Sequence, residues 1–100
     1  MIVVPGTVIH SEEDVVVGAG ATEPLPVPPR NTRRVVVQVT DGDETTIVRI
    51  RELGGTAGTG IILILYGSHV YGGVDGALAP LEAENVAGPE AAVAVQFEED

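Results

Sequence analysis

The clearest alternation of apolar and polar positions lies in the middle of the chain. From Arg34, the residues Val35, Val37 and Val39 alternate with Arg34, Gln38 and Thr40. This is the two-residue period of a strand with one buried face, broken only by Val36 on the polar side. Thr45 to Arg51 alternates again, with Thr46, Val48 and Ile50 on one side and Ile47, Arg49 and Arg51 on the other. Asp41-Gly42-Asp43-Glu44 makes a tight connection between them, so the pattern predicts a hairpin. Ile61 to Tyr66 is instead apolar without interruption, which reads as a strand buried on both faces. In so small a domain the second face is expected to meet another subunit. Short strands are expected at His69–Tyr71 and Leu81–Val86. After the turn at Gly88-Pro89, Val93, Val95 and Phe97 alternate with Ala92, Ala94 and Gln96.

The N-terminal section is more fragmentary. Ile2–Val4, Thr7–His10 and Asp14–Val17 read as short strands separated by Pro5-Gly6 and by the acidic turn Ser11-Glu12-Glu13. Gly18 to Pro29 then passes from a flexible Gly/Ala piece into Pro24-Leu-Pro-Val-Pro-Pro29, a stiff, extended connector. The expected organisation is an N-terminal arm over 1–24, a Pro-rich connector over 25–33 and a β core over 34–100. No segment has sustained helical periodicity, and many short strands with closely spaced turns predict an all-β, single-domain antiparallel sandwich of jelly-roll-like form.

Composition sharpens this picture. A chain of 100 residues is one domain with a modest core. Its apolar residues are mostly β-branched and its only aromatics are Tyr66, Tyr71 and Phe97, which favours strands over helices. Without cysteine there are no disulfides, thiolate metal sites or thiol nucleophiles, so extra stability is expected to come from oligomerisation. The start has no basic n-region, and no apolar run approaches the roughly 20 residues of a membrane helix, so a soluble protein without a signal peptide is expected. With a formal charge of −10, neither nucleic acid nor an anionic membrane is an expected partner.

Charge is nevertheless unevenly placed. All five positive residues, Arg30, Arg33, Arg34, Arg49 and Arg51, fall in one central stretch, and there is no lysine. On the predicted hairpin, Arg34, Arg49 and Arg51 leave the face opposite the valines while Arg30 and Arg33 stand at its entry, forming one cationic patch. Such a patch has two readings: exposed ion pairs with the many carboxylates, or a contact with another subunit, to which arginine forks are suited. These five arginines are the candidate partner-binding residues.

Other motifs reduce to structural readings. Gly55 and Gly60 have the spacing of a phosphate-binding loop, but Ile61 and Ile62 stand where Lys and Ser/Thr are required. Asp41, Asp43 and Thr45 resemble the start of a calcium loop without its glycine and distal glutamate. His10 and His69 lie in separate predicted strands, too few for a zinc site. Ser68, His69 and Asp75 include the residue types of a hydrolytic triad, but Ser68 and His69 are neighbours on a strand and point to opposite faces. Pro26-Val-Pro-Pro29-Arg30 has the form of a proline-rich ligand, for which a rigid spacer is the simpler reading. No enzyme, cofactor or metal is expected.

From Pro28 onward the chain resembles the small decoration, or cement, proteins of tailed-bacteriophage capsids. Pro29-Arg30-Asn-Thr-Arg33-Arg34-Val-Val-Val-Gln-Val is similar to their first sheet strand and Thr46-Ile-Val-Arg-Ile to its hairpin partner. Gly58-Thr-Gly60-Ile-Ile-Leu, Gly73-Val-Asp75-Gly-Ala-Leu-Ala-Pro80-Leu-Glu-Ala and Ala92-Val-Ala-Val-Gln-Phe-Glu98 are similar to their later strands and turns. One departure is Tyr66-Gly67, where such proteins often carry Pro-Gly. The resemblance implies a homotrimer on the outer surface of the virion, made in the host cytoplasm and bound to the major capsid protein at local three-fold axes of an expanded shell. There it would clamp neighbouring capsid subunits. Two other classes stay open: a neck or tail subunit, separated from cement by stoichiometry, and a glycan- or receptor-binding β-domain, for which few aromatics are available.

Overall fold

The computed structural model describes residues 8–11, 14–29, 32–72 and 79–99. Nine strands fill them: β1 (Val8–Ser11), β2 (Val15–Val17), β3 (Thr22–Pro24), β4 (Arg34–Asp41), β5 (Ile47–Glu52), β6 (Ile61–Ile64), β7 (Ser68–Gly72), β8 (Leu81–Ala87) and β9 (Ala91–Glu99). They form two antiparallel sheets. In the first the order is β1-β9-β4-β7, with β2 also paired to β9; in the second it is β3-β8-β5-β6. Because β1 and β2 lie end to end along β9, at Gln96 to Glu99 and Ala91 to Val93 respectively, they act as one interrupted edge strand. Counting them once leaves eight strands that cross between sheets in the double Greek-key order of a jelly roll, the sandwich that the sequence pattern predicts.

Alternation determines the core. Val35, Val37 and Val39 of β4 and Val93, Val95 and Phe97 of β9 point inward from the first sheet, and Val48, Ile50, Leu63 and Ala83 meet them from the second. Leu25 and Val17 close one end of this core. Asn85 is buried there too, its amide donating to the Val17 carbonyl at 3.1 Å and the Pro89 carbonyl at 2.7 Å. It thereby ties β8 to β2 and to the turn before β9.

The expected hairpin between residues 34–40 and 45–51 does not form. β4 and β5 belong to different sheets, and β5 pairs instead with β6 and β8. Alternation specifies which face of a strand is buried, and two apolar faces are satisfied equally by lying side by side or by facing each other across a sandwich. The connection decides between these. Thr46 is buried, its hydroxyl accepts from the Asp43 N–H at 2.9 Å, and ladder irregularities at Val39/Asp41 and Ile47/Val48 bend both strands as the chain turns the corner. The hairpin that does form joins β5 to β6 through the glycine-rich residues 53–60.

Two further expectations need correction or placement. Among the described residues β6 is covered on one face only: it is the edge of the second sheet, and Ile62 and Ile64 are 56% and 65% exposed on its outer side. In the segments expected to form the arm, Val15–Val17 pairs with β9 and Thr22–Pro24 with β8. Ile2–Val4 lies outside the described residues.

Candidate functional site

The sandwich separates the arginines. Arg34, at the start of β4, lies on the outer face of the first sheet, where its Nε donates to the Glu98 carboxylate at 2.9 Å. Arg33 precedes it, with its backbone N–H on the Glu98 carbonyl at 2.7 Å. Arg49 and Arg51 are on β5 and leave the outer face of the second sheet, on the opposite side of the molecule. The single cationic patch is therefore not formed by these four residues, because it depended on β4 and β5 being neighbours. Arg30 lies outside the described residues.

Arg51 is engaged by its own chain. Its Nε donates to Glu82 Oε2 at 2.6 Å and its Nη1 to Glu84 Oε1 at 2.7 Å, and the Gly54 N–H reaches Glu82 Oε1 at 3.0 Å. Strand pairing sets this up, since Arg51 stands opposite Glu82, and Arg49 opposite Glu84, on β8. The Gly54 N–H and the Arg51 guanidinium hold the Glu82 carboxyl below its usual range, and Glu84 with Glu82 raises the guanidinium. In the same way Arg34, with help from Gln96, lowers Glu98.

Arg49 is placed differently. Glu82 and Glu84 are both bonded to Arg51, and Arg49 Nε is buried without a hydrogen-bond partner among the described residues. Around it on the outer face are Ile62 opposite on β6, the half-buried Ile47, and the exposed Ile64 and Val86. The result is an apolar margin along the edge strand with one guanidinium set into it.

The remaining motifs are accounted for by local structure. Asp43 Oδ1 accepts from the Thr45 N–H at 2.8 Å and the Thr45 hydroxyl at 2.6 Å, which lowers the Asp43 pKa and makes the loop a side-chain-capped turn. The Gly55 and Thr59 N–H groups are spent on the Glu52 and Thr56 carbonyls within the glycine loop, and a strand follows it. His10 on β1 and His69 on β7 occupy opposite edges of the first sheet, three strand spacings or about 14 Å apart. The His69 ring instead packs edge-on against Tyr71. Ser68 and His69 pair with successive β4 residues and so face opposite ways, and Asp75 is outside the described residues.

Sequence reasoning missed a cavity of about 420 Å³ between the sheets, floored by Val35, Ile50 and Leu81 and bordered by Tyr71, Thr59 and Glu52. Burial raises the Tyr71 pKa. Its lining suits an apolar group, but the residues come from four separate segments and share no local motif.

No protein-family model matches the chain, and no curated protein matches it by sequence. Among solved structures it is similar to a protein of Bacillus endospore appendages, described as forming a novel family of disulfide-linked pili. The two share 13% sequence identity with a TM-score of 0.51, over 92% of this chain and 85% of that one. At that identity the likeness is one of fold.

Proposed function

We propose that this chain is a structural protein that works by docking onto other protein subunits, and specifically that it decorates the outside of an expanded phage capsid. The observation that supports docking is the pair of outer sheet faces with large apolar side chains in solvent: Val16 and Val70 on the first sheet, Ile62, Ile64 and Val86 on the second. Where such residues cluster, as Ile62 and Ile64 do along the edge strand β6, they mark a surface that a neighbouring subunit covers. The capsid reading adds the sequence resemblance from Pro28 onward. It also draws on Arg33 and Arg34 at the head of β4, beside the end of β9, where Arg34 is paired with Glu98. In this reading Arg30, Arg33 and Arg34 face acidic capsid surface, the protein acts as a trimer against the major capsid protein, and many weak contacts add across the lattice. The test is the mass in solution by light scattering, followed by co-sedimentation with expanded and unexpanded capsids. A trimer that sediments only with expanded particles, and loses that binding when Arg30, Arg33 and Arg34 are changed to Glu, supports the proposal. Undiminished binding of the triple variant removes the arginine assignment, and absence of binding removes the capsid reading.

The similarity to an appendage protein favours a second reading, a subunit of a filament. This chain has no cysteine, so such a filament would be held without disulfides. Electron microscopy of the purified protein separates the two, as filaments or as closed oligomers.

A further inference from the structure

β6 ends the second sheet, so one side of its backbone has no ladder partner among the described residues. Natural edge strands are commonly guarded by charge, proline or a bulge. β6 has none of these: its sequence is Ile-Ile-Leu-Ile, it pairs in regular register with Ile47 to Ile50, and Ile62 and Ile64 project from its outer side into solvent. An edge with this composition is a template for another strand.

The electrostatics select the occupant. Two copies of a chain with charge −10 repel each other except where the local surface is balanced. On the outer face of the second sheet, Arg49 and Arg51 balance Glu82 and Glu84, and both glutamates are taken by Arg51. Arg49, one strand in from the edge and opposite Ile62, has a buried Nε without a partner. A second copy, with 15 acidic residues against five basic ones, brings carboxylates to such a site. The face thus combines an unpaired strand, two exposed isoleucines and an arginine whose Nε has no hydrogen-bond partner among the described residues.

We infer that the β6 edge, with Ile62, Ile64 and Arg49, is the contact between copies of this chain. Isoleucines of adjoining copies meet one another there, and a carboxylate of the neighbour reaches Arg49. This contact draws on the same exposed isoleucines as the docking reading above, but it can stand without the capsid, because it concerns association of the protein with itself.

Sedimentation equilibrium on the full chain tests it. The wild type is expected to form a closed dimer or trimer. The double variant Ile62→Ser/Ile64→Ser and, separately, Arg49→Met are expected to raise the dissociation constant at least about tenfold. Val27→Ser, exposed in the connector between β3 and β4, is expected to leave it unchanged. Circular dichroism checks that each variant keeps the wild-type fold. A wild type that stays monomeric to about 1 mM overturns the inference. So does an oligomer whose dissociation constant is unmoved by the isoleucine variant or raised by Val27→Ser. Self-association through β6 without capsid binding would leave this contact standing and remove the capsid reading alone.

Discussion

Gly54 and Gly60 flank the loop between β5 and β6, and replacing each with alanine separates two costs that are usually merged. Both residues have positive φ, +78° and +104°. At Gly54 an added Cβ meets nothing within 4 Å, so Gly54→Ala carries the conformational cost alone. That cost is about 1–2 kcal/mol, offset in part by the lower entropy of the unfolded alanine chain, for a net loss of about 1 kcal/mol. At Gly60 the same methyl would collide with the Ile50 carbonyl oxygen and lie 2.9 Å from Arg51 Cβ. Both obstacles belong to β5, and neither is the far end of a flexible side chain. Relief therefore requires the hairpin to shift at Ile50↔Ile61, and the total loss is expected to reach about 3 kcal/mol. For a domain of this size each kcal/mol lowers Tm by roughly 4–8 °C, so thermal unfolding by circular dichroism should show Gly54→Ala down by about 4–8 °C and Gly60→Ala by about 12–24 °C. Equal losses would refute the reasoning. They would mean that the loop moves freely enough to absorb a methyl, and that the close approach of Gly60 to β5 does not position β6.

Three further outcomes are expected. Phe97→Ala removes the largest fully buried side chain, and urea unfolding should register a loss of about 3–5 kcal/mol. Tyr66 has φ +64° and its N–H donates to the Val39 carbonyl at 2.8 Å, so Tyr66→Pro should destabilise by about 3 kcal/mol or more in the same assay. Tyr66→Gly should be tolerated. Acid should lower the urea midpoint: Glu82 and Glu98 have depressed pKa values in the folded chain, so their contribution is present above the usual carboxylate value of 4.5 and is lost as pH falls through the folded values. Relief of the −10 self-repulsion acts in the opposite sense, so the comparison is with Glu98→Gln, whose midpoint should fall less between about pH 5 and 3. Parallel curves would contradict the assignment.

How much of this was readable beforehand depended on whether the information was local. The inward faces of β4, β5 and β9 followed directly from the alternation of Val35 to Val39, Thr46 to Ile50 and Val93 to Phe97, because the side-chain period of a strand needs no partner to be seen. Which sheet each strand joins was not local. β4 and β5 have the same pattern, and only the packing of Thr46 and the bends beside it put them face to face. β3 left no apolar trace, since Thr22, Glu23 and Pro24 are all exposed and it is held through its pairing with β8. The continuous apolarity of Ile61 to Leu65 was informative but incomplete: inward-facing Leu63 is buried, whereas the outward isoleucines are open. The Arg51 network joins residues 31 and 33 positions apart in sequence, and composition alone could not distinguish it from a loose cationic patch.

The order of strands along the chain also bears on how the protein is made. β9 comes after the eight other described strands, yet it lies inside the first sheet, between β4 and the interrupted edge of β1 and β2. While the ribosome is still adding residues up to Val86, β4 has only β7 beside it in its sheet, and β1 and β2 have no ladder at all. The second sheet can assemble earlier, because β5 and β6 are neighbours in sequence and β8 precedes β9. The sandwich is therefore expected to close only after release of residues 91–99, in one late step that joins distant parts of the chain and has the slow, millisecond-to-second character of such topologies. A stop or slippage in the last ten codons before Glu99 would cost far more than its length implies, since it would remove the strand on which three others depend.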